Sequence, residues 1–148
     1  MNEVAKTLMQ QSVGITDEDL ARLQPDAERR MEKIYSNAPQ VMQYRLIAEV
    51  VQSKYCFAGI KEGDRMVFNP FLDAAASTCP LCPRALIPVL VAVQQFWERG
   101  FELADRGVEG VEEMNDSALA GMAACLDPGL EYGGLGHVGF RLHCERIG

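Results

Sequence analysis

A chain of 148 residues is the size of one ordinary domain, long enough to bury a core without disulfide staples. Its 14 basic and 21 acidic residues leave a formal charge of −7, which repels nucleic-acid phosphates and anionic lipid. The longest nearly uncharged apolar run, residues 85–93, is far short of the roughly 20 residues a membrane-spanning helix needs, and residues 1–14 carry neither an apolar leader nor a small-residue cleavage site, so a cytoplasmic protein is expected, with no nucleic-acid or membrane partner.

Thr16 followed by Asp17, Glu18 and Asp19 predicts a helix start, because a threonine hydroxyl caps free N–H groups and the helix dipole favours acids in the first turn. Pro25 breaks that helix and opens a second over residues 26–36, ending before Asn37-Ala38-Pro39. Leu20, Leu23, Ala27, Met31 and Ile34 give this region an apolar stripe that needs a surface, either its own domain or a partner subunit. Residues 1–42 therefore read as a helical N-terminal extension and residues 43–148 as the main domain.

Residues 44–51 are apolar and β-branched enough for a strand, and Lys61-Glu62-Gly63-Asp64 reads as a turn into a second strand at 65–68. The pair predicts a β-hairpin with Cys56 in its connection. Pro83 suits the first position of a helix over 84–99, ended by Gly100 and mildly perturbed by Pro88. Glu98, Glu102, Asp105, Glu109, Glu112, Glu113 and Asp116 outnumber Arg99 and Arg106 in the next stretch, which predicts a solvated linker, with an acidic docking surface as the alternative.

Residues 122–126 suit a short strand, and Asp127-Pro128-Gly129 is a turn signal. Residues 137–147 then alternate, with Val138, Phe140, Leu142 and Cys144 on one face and Gly139, Arg141, His143 and Glu145 on the other. The predicted fold class is α+β: an antiparallel sheet of about four strands with one main helix packed on it, preceded by N-terminal helices.

Five cysteines without a secretion signal point to thiols, a metal site or redox chemistry rather than a disulfide framework. Cys79-Pro80-Leu81-Cys82 places two sulfurs on one turn, and Cys82 falls at the start of the long helix, where N–H groups and the dipole favour a thiolate. Cys56 and Cys125 sit at strand ends. Convergence of those ends on the helix start makes Cys56, Cys79, Cys82 and Cys125 the expected ligands of an iron–sulfur cluster or a zinc ion, with the cluster slightly preferred. Buried inert thiols and disulfide exchange are the competing readings of the same four residues. Cys144 belongs to the core by its parity, and His137 and His143 fall on the opposite, exposed face. Asp64 and Asp127 read as turn residues able to accept hydrogen bonds around the site.

Around these residues the chain resembles an uncharacterised family of small cysteine-containing α+β proteins of anaerobic bacteria and archaea. The resembling pieces are Cys56 with Gly59, the Lys61-Glu62-Gly63-Asp64 turn, Cys82-Pro83-Arg84-Ala85-Leu86, Gly100, Cys125-Leu126-Asp127, and Val138-Gly139-Phe140-Arg141-Leu142 with Glu145-Arg146-Ile147. The resemblance implies Cys56, Cys82 and Cys125 as the shared set and brings no activity. Cys79, the acidic stretch, Gly133-Gly134-Leu135-Gly136 and the N-terminal helices depart from the family's pattern, which implies a specialised member.

Three functions are expected in order. The first is a small metal-binding accessory subunit of a larger enzyme complex, joined to a protein partner or a second copy through the N-terminal helices. The second is a thiol–disulfide oxidoreductase using Cys79 and Cys82. The third, a small-molecule binder using residues 133–136, is disfavoured because a glycine run without a following helix is a poor phosphate cradle.

Overall fold

The computed structural model describes residues 1–116 and 121–147. Three helices lead the chain: α1 (Glu3–Val13), α2 (Asp17–Leu20) and α3 (Pro25–Val41). The α1 helix starts where the Asn2 side chain accepts the Ala5 N–H at 2.8 Å. It ends at Gly14, whose φ of 73° is the left-handed conformation glycine adopts without strain. Residues 1–42 read as a helical extension, but no separate helix is placed here from the sequence, because its polar residues mask the buried Ala5 and Met9. Thr16 and Asp19 form a reciprocal capping box at α2.

The α3 helix runs five residues past its predicted end, through Pro39 to Val41. A proline removes one i→i−4 bond and crowds one carbonyl. With only two helical residues beyond it, Pro39 disturbs the final turn alone, and the Met42 N–H closes the end on Ala38 at 2.8 Å. The α1 helix packs on α3. Leu20, Leu23, Ala27 and Met31 are half-buried, while Ile34 stays 43% exposed.

The antiparallel sheet has the order β3-β2-β1-β5-β4, formed by β1 (Tyr44–Lys54), β2 (Arg65–Asn69), β3 (Phe71–Leu72), β4 (Met122–Ala124) and β5 (His137–Arg146). The two-residue β3 is the addition to the four expected strands. The central β1 pairs with β2 on one side (Leu46 with Phe68) and β5 on the other (Leu46 with Cys144). The register slips between Val50 and Gln52. Tyr44, Leu46, Ala48 and Val50 meet Met66 and Phe68 of β2 and Val138, Phe140, Leu142 and Cys144 of β5 in one core. Cys144 is thus a core residue.

Across this face lies α4 (Pro83–Asp105), which contributes Ala85, Val89, Val93, Phe96 and Trp97 to the same core. It continues past Gly100, contrary to the predicted stop. A Cβ there would meet Met114 Cε at 3.3 Å and Val41 Cγ1 at 3.4 Å, so the glycine serves close packing rather than helix termination. The acidic stretch is correspondingly not a linker. It forms the last turns of α4 and then α5 (Val111–Asn115), with its acids mostly in water and Met114 buried beneath. The α3 helix packs on α4, so the N-terminal helices rest on the same chain. Among the described residues, no helix is long and apolar enough to cross a membrane.

Candidate functional site

The start of α4, the β1–β2 connection and the segment after β4 meet at one end of the sheet. β1 stops at Lys54, and Tyr55 takes a left-handed φ of 54°, turning the chain into Cys56. The Gly59 N–H then closes the turn on the Cys56 carbonyl at 3.1 Å. Cys82 is the N-cap residue of α4, extended at φ −104° and ψ 123°. Its carbonyl accepts the Ala85 and Leu86 N–H groups at 3.0 and 2.8 Å. Pro83 has no N–H, and the Arg84 N–H makes no bond among the described residues, so the positive end of the helix is left facing the site.

Cys125 is held at both its backbone and its side chain by β5. Its N–H donates to the Val138 carbonyl at 2.9 Å, and its Sγ accepts the Val138 N–H at 3.2 Å. The next residue is tied to α4, where the Leu126 N–H donates to the Arg84 carbonyl at 2.9 Å. That carbonyl is available because Pro88, four residues on, supplies no N–H to it. A proline read as a mild perturbation of the helix thus anchors the third cysteine segment.

Cys56, Cys82 and Cys125 all line one cavity of about 390 Å³, together with Phe57, Arg84, Asp127, Leu135 and His137. All three thiols are half-buried and free. These three, which sequence reading set at two strand ends and a helix start, stand around one cavity. Cys79 stands differently: it is 6% exposed, packed into the core, and absent from the cavity wall. Its Sγ donates to the Pro80 carbonyl at 3.6 Å. Burial, then the nearby Asp64, Cys56 and Cys82, push its pKa up to about 12, so the thiol stays neutral. Among the described residues, no three His, Cys, Asp or Glu side chains are grouped as the ligands of one metal ion.

Asp127 does more than turn the chain. Oδ1 accepts the N–H groups of Gly129, Leu135 and Gly136 at 3.0, 3.0 and 3.2 Å, and Oδ2 pairs with Arg84 at 3.1 Å. The Gly129 and Gly136 amides, with smaller help from Leu135 and Arg84, hold its carboxyl below the usual range. One side chain therefore clasps the 129–136 loop to the head of α4, over the cavity. Gly136 has no room for a Cβ, which would press on the Lys54 and Tyr55 carbonyls. Gly134 is crowded too, where a Cβ would meet the Asp127 carboxylate and the Gly129 nitrogen, so close packing requires both glycines. The signal for the clasp was present in the sequence as Asp-Pro-Gly followed by three more glycines, but nothing in it identified Arg84 as the partner.

His137 lines the cavity although its parity predicted exposure, because it is the first residue of β5, where the strand leaves the loop. His143 lies on the sheet face opposite the main core, 3.2 Å from Glu145, which also pairs with Arg45 at 2.8 Å. No family model, curated protein or solved structure matches the chain.

Proposed function

We propose that the protein is a small metal-binding domain whose centre is held by the cysteines at the head of α4, and that it serves as an accessory subunit in a larger assembly. The observation that carries this reading is that Cys56, Cys82 and Cys125, from segments far apart in the chain, line a single cavity. Thiols suit both zinc and iron–sulfur centres. A zinc ion draws its sulfurs to about 2.3 Å, and among the described residues no three donors stand grouped for that. A multi-atom iron–sulfur cluster spans thiols spread around a cavity of about 390 Å³ more readily, so we favour the cluster. The Val138 N–H donates to the Cys125 sulfur, and Cys82 stands at the head of α4. When bound, the centre would supply either electron storage or a cross-link between the three segments.

The accessory role draws on exposed apolar surface. Val4, Val13 and Ile34 on the N-terminal helices remain in water, as do Ile87, Leu90 and Val91 on α4. The oxidoreductase alternative is weighed down by Cys79, whose buried, neutral thiol is a poor nucleophile. The test is purification without oxygen followed by iron, sulfide and zinc analysis and visible absorption. Iron with matching sulfide and a broad visible band supports the reading. A colourless, metal-free protein that also refuses iron and sulfide on reconstitution, yet reduces disulfides catalytically, overturns it.

A further inference from the structure

We infer that the cavity at the head of α4 binds a small, uncharged and largely apolar molecule. This goes beyond the metal reading and does not depend on it, because it rests on the size and chemistry of the walls and not on coordination by the thiols.

Four observations point this way. First, the cavity volume of about 390 Å³ falls within the range of small-molecule sites, roughly 300–1,000 Å³. Second, the wall is mainly apolar: Phe57, Ile60, Pro83, Ala85, Leu135 and Val138 all lie on it. The half-buried free cysteines add to that lining, since a free thiol packs as a small hydrophobe. Third, the opposite charges among the lining residues already answer each other. Arg84 pairs with Asp127 at 3.1 Å, and the same carboxylate accepts the Gly129, Leu135 and Gly136 amides. A charged ligand would leave water with no free counter-charge of this pair to meet it, whereas an uncharged one leaves the clasp intact. Apart from this pair and the thiols, His137 is the polar side chain among the lining residues. Its ring can donate or accept a hydrogen bond, which suits a ligand with one polar group. Fourth, Phe57 and Leu135 line the cavity while remaining 89% and 57% exposed, so large apolar surface stands in water at its mouth. Removing that surface from water is the gain an apolar ligand makes by binding there.

The test uses phenylnaphthylamine, an uncharged aromatic probe whose fluorescence rises in apolar surroundings. Full-length parent, Phe57→Ser, Leu135→Asp and Val91→Asp proteins are titrated with it, and circular dichroism confirms the fold of each. Both mouth residues are exposed, so their variants should fold. Val91 is an exposed apolar residue of α4 outside the cavity wall and controls for binding to apolar surface in general. Cys56, Cys82 and Cys125 report where the probe sits: after reduction, with a chelator present, their alkylation rates are read by mass spectrometry with and without the probe. The expected result is one saturable site per chain in the parent and in Val91→Asp. The two mouth variants should bind at least about tenfold more weakly, the scale of one buried apolar side chain, and bound probe should slow alkylation of the three thiols. Absence of saturation, unchanged affinity in both mouth variants, equal weakening in Val91→Asp, or thiols alkylated as fast with the probe as without it overturns the inference. Neither readout involves a metal, so the metal analysis above can fail or succeed separately.

Discussion

The Leu126 N–H reaches the Arg84 carbonyl across 2.9 Å, and it does so at the one helical carbonyl that Pro88 leaves without its usual donor. The helix gives up one internal bond, and the segment carrying Cys125 gains an anchor beside Cys82. Restoring the donor should reverse the trade. In Pro88→Ala, the new N–H returns to Arg84, and the helix recovers up to about 3 kcal/mol of propensity. We expect a higher melting temperature together with faster alkylation of Cys125 in metal-free protein. A Cys125 rate equal to the parent's would show that the Leu126 bond does not hold the segment.

Asp127→Ala removes the acceptor of three loop amides and of Arg84. The loop amides then lose their shared partner, and hydrogen exchange at Leu135 and Gly136 should accelerate by at least about tenfold. Arg84→Ala should leave those amides protected, since its ion pair is largely exposed. Equal protection in the aspartate variant would remove the clasp from the account.

Thiol reactivity should divide the cysteines into two groups. Burial first, then neighbouring charge, raises both Cys79 and Cys144 to about 12. In metal-free protein at about pH 8, below the ordinary thiol range, iodoacetamide should label Cys56, Cys82 and Cys125 first. The same shifts set an alkaline limit. An acid whose folded pKa is raised contributes stability that is complete below its unfolded pKa and is lost as pH climbs toward the folded value. Stability should therefore fall between the model thiol value of 9.0 and about 12, and less steeply in Cys144→Ala than in the parent. A flat profile across that window, or early labelling of Cys144, would contradict the burial argument.

Gly100→Ala should be close to neutral. It gains about 1 kcal/mol of helix propensity and spends it on contacts of 3.3 and 3.4 Å to Met114 and Val41. Gly100→Leu cannot fit, and its branched side chain should push α3 and α5 off α4, lowering the denaturation midpoint sharply. A leucine variant as stable as the parent would mean the three helices are not close-packed there.

Much of this architecture was legible because the signals are local. The alternation of residues 137–147 and the Pro83 start of α4 each follow from periodicity or a single backbone constraint. Gly100 and Pro39 misled for a shared reason: both are boundary signals in isolation, and both were overridden by packing that brings Val41, Gly100 and Met114 together from three helices. The site divided along the same line. Strand-end and helix-start positions point Cys56, Cys82 and Cys125 to one end of the sheet, while Cys79 shares the turn with Cys82 and only the path of the chain beside β2 shows that it is buried. The Arg84–Asp127 pair spans 43 positions and has no sequence period to betray it.

The grip of β5 on Cys125 also fixes a schedule. Cys56 and Cys82 leave the ribosome early, but Cys125 takes its place only against Val138, and β5 finds its own place only by pairing with β1 across most of the chain, as in Tyr44 with Arg146. Contacts of such long sequence separation form late and slowly. Until β5 pairs with β1 the cavity is a half-made cup with two thiols, so the site and the core of the sheet are completed in one step.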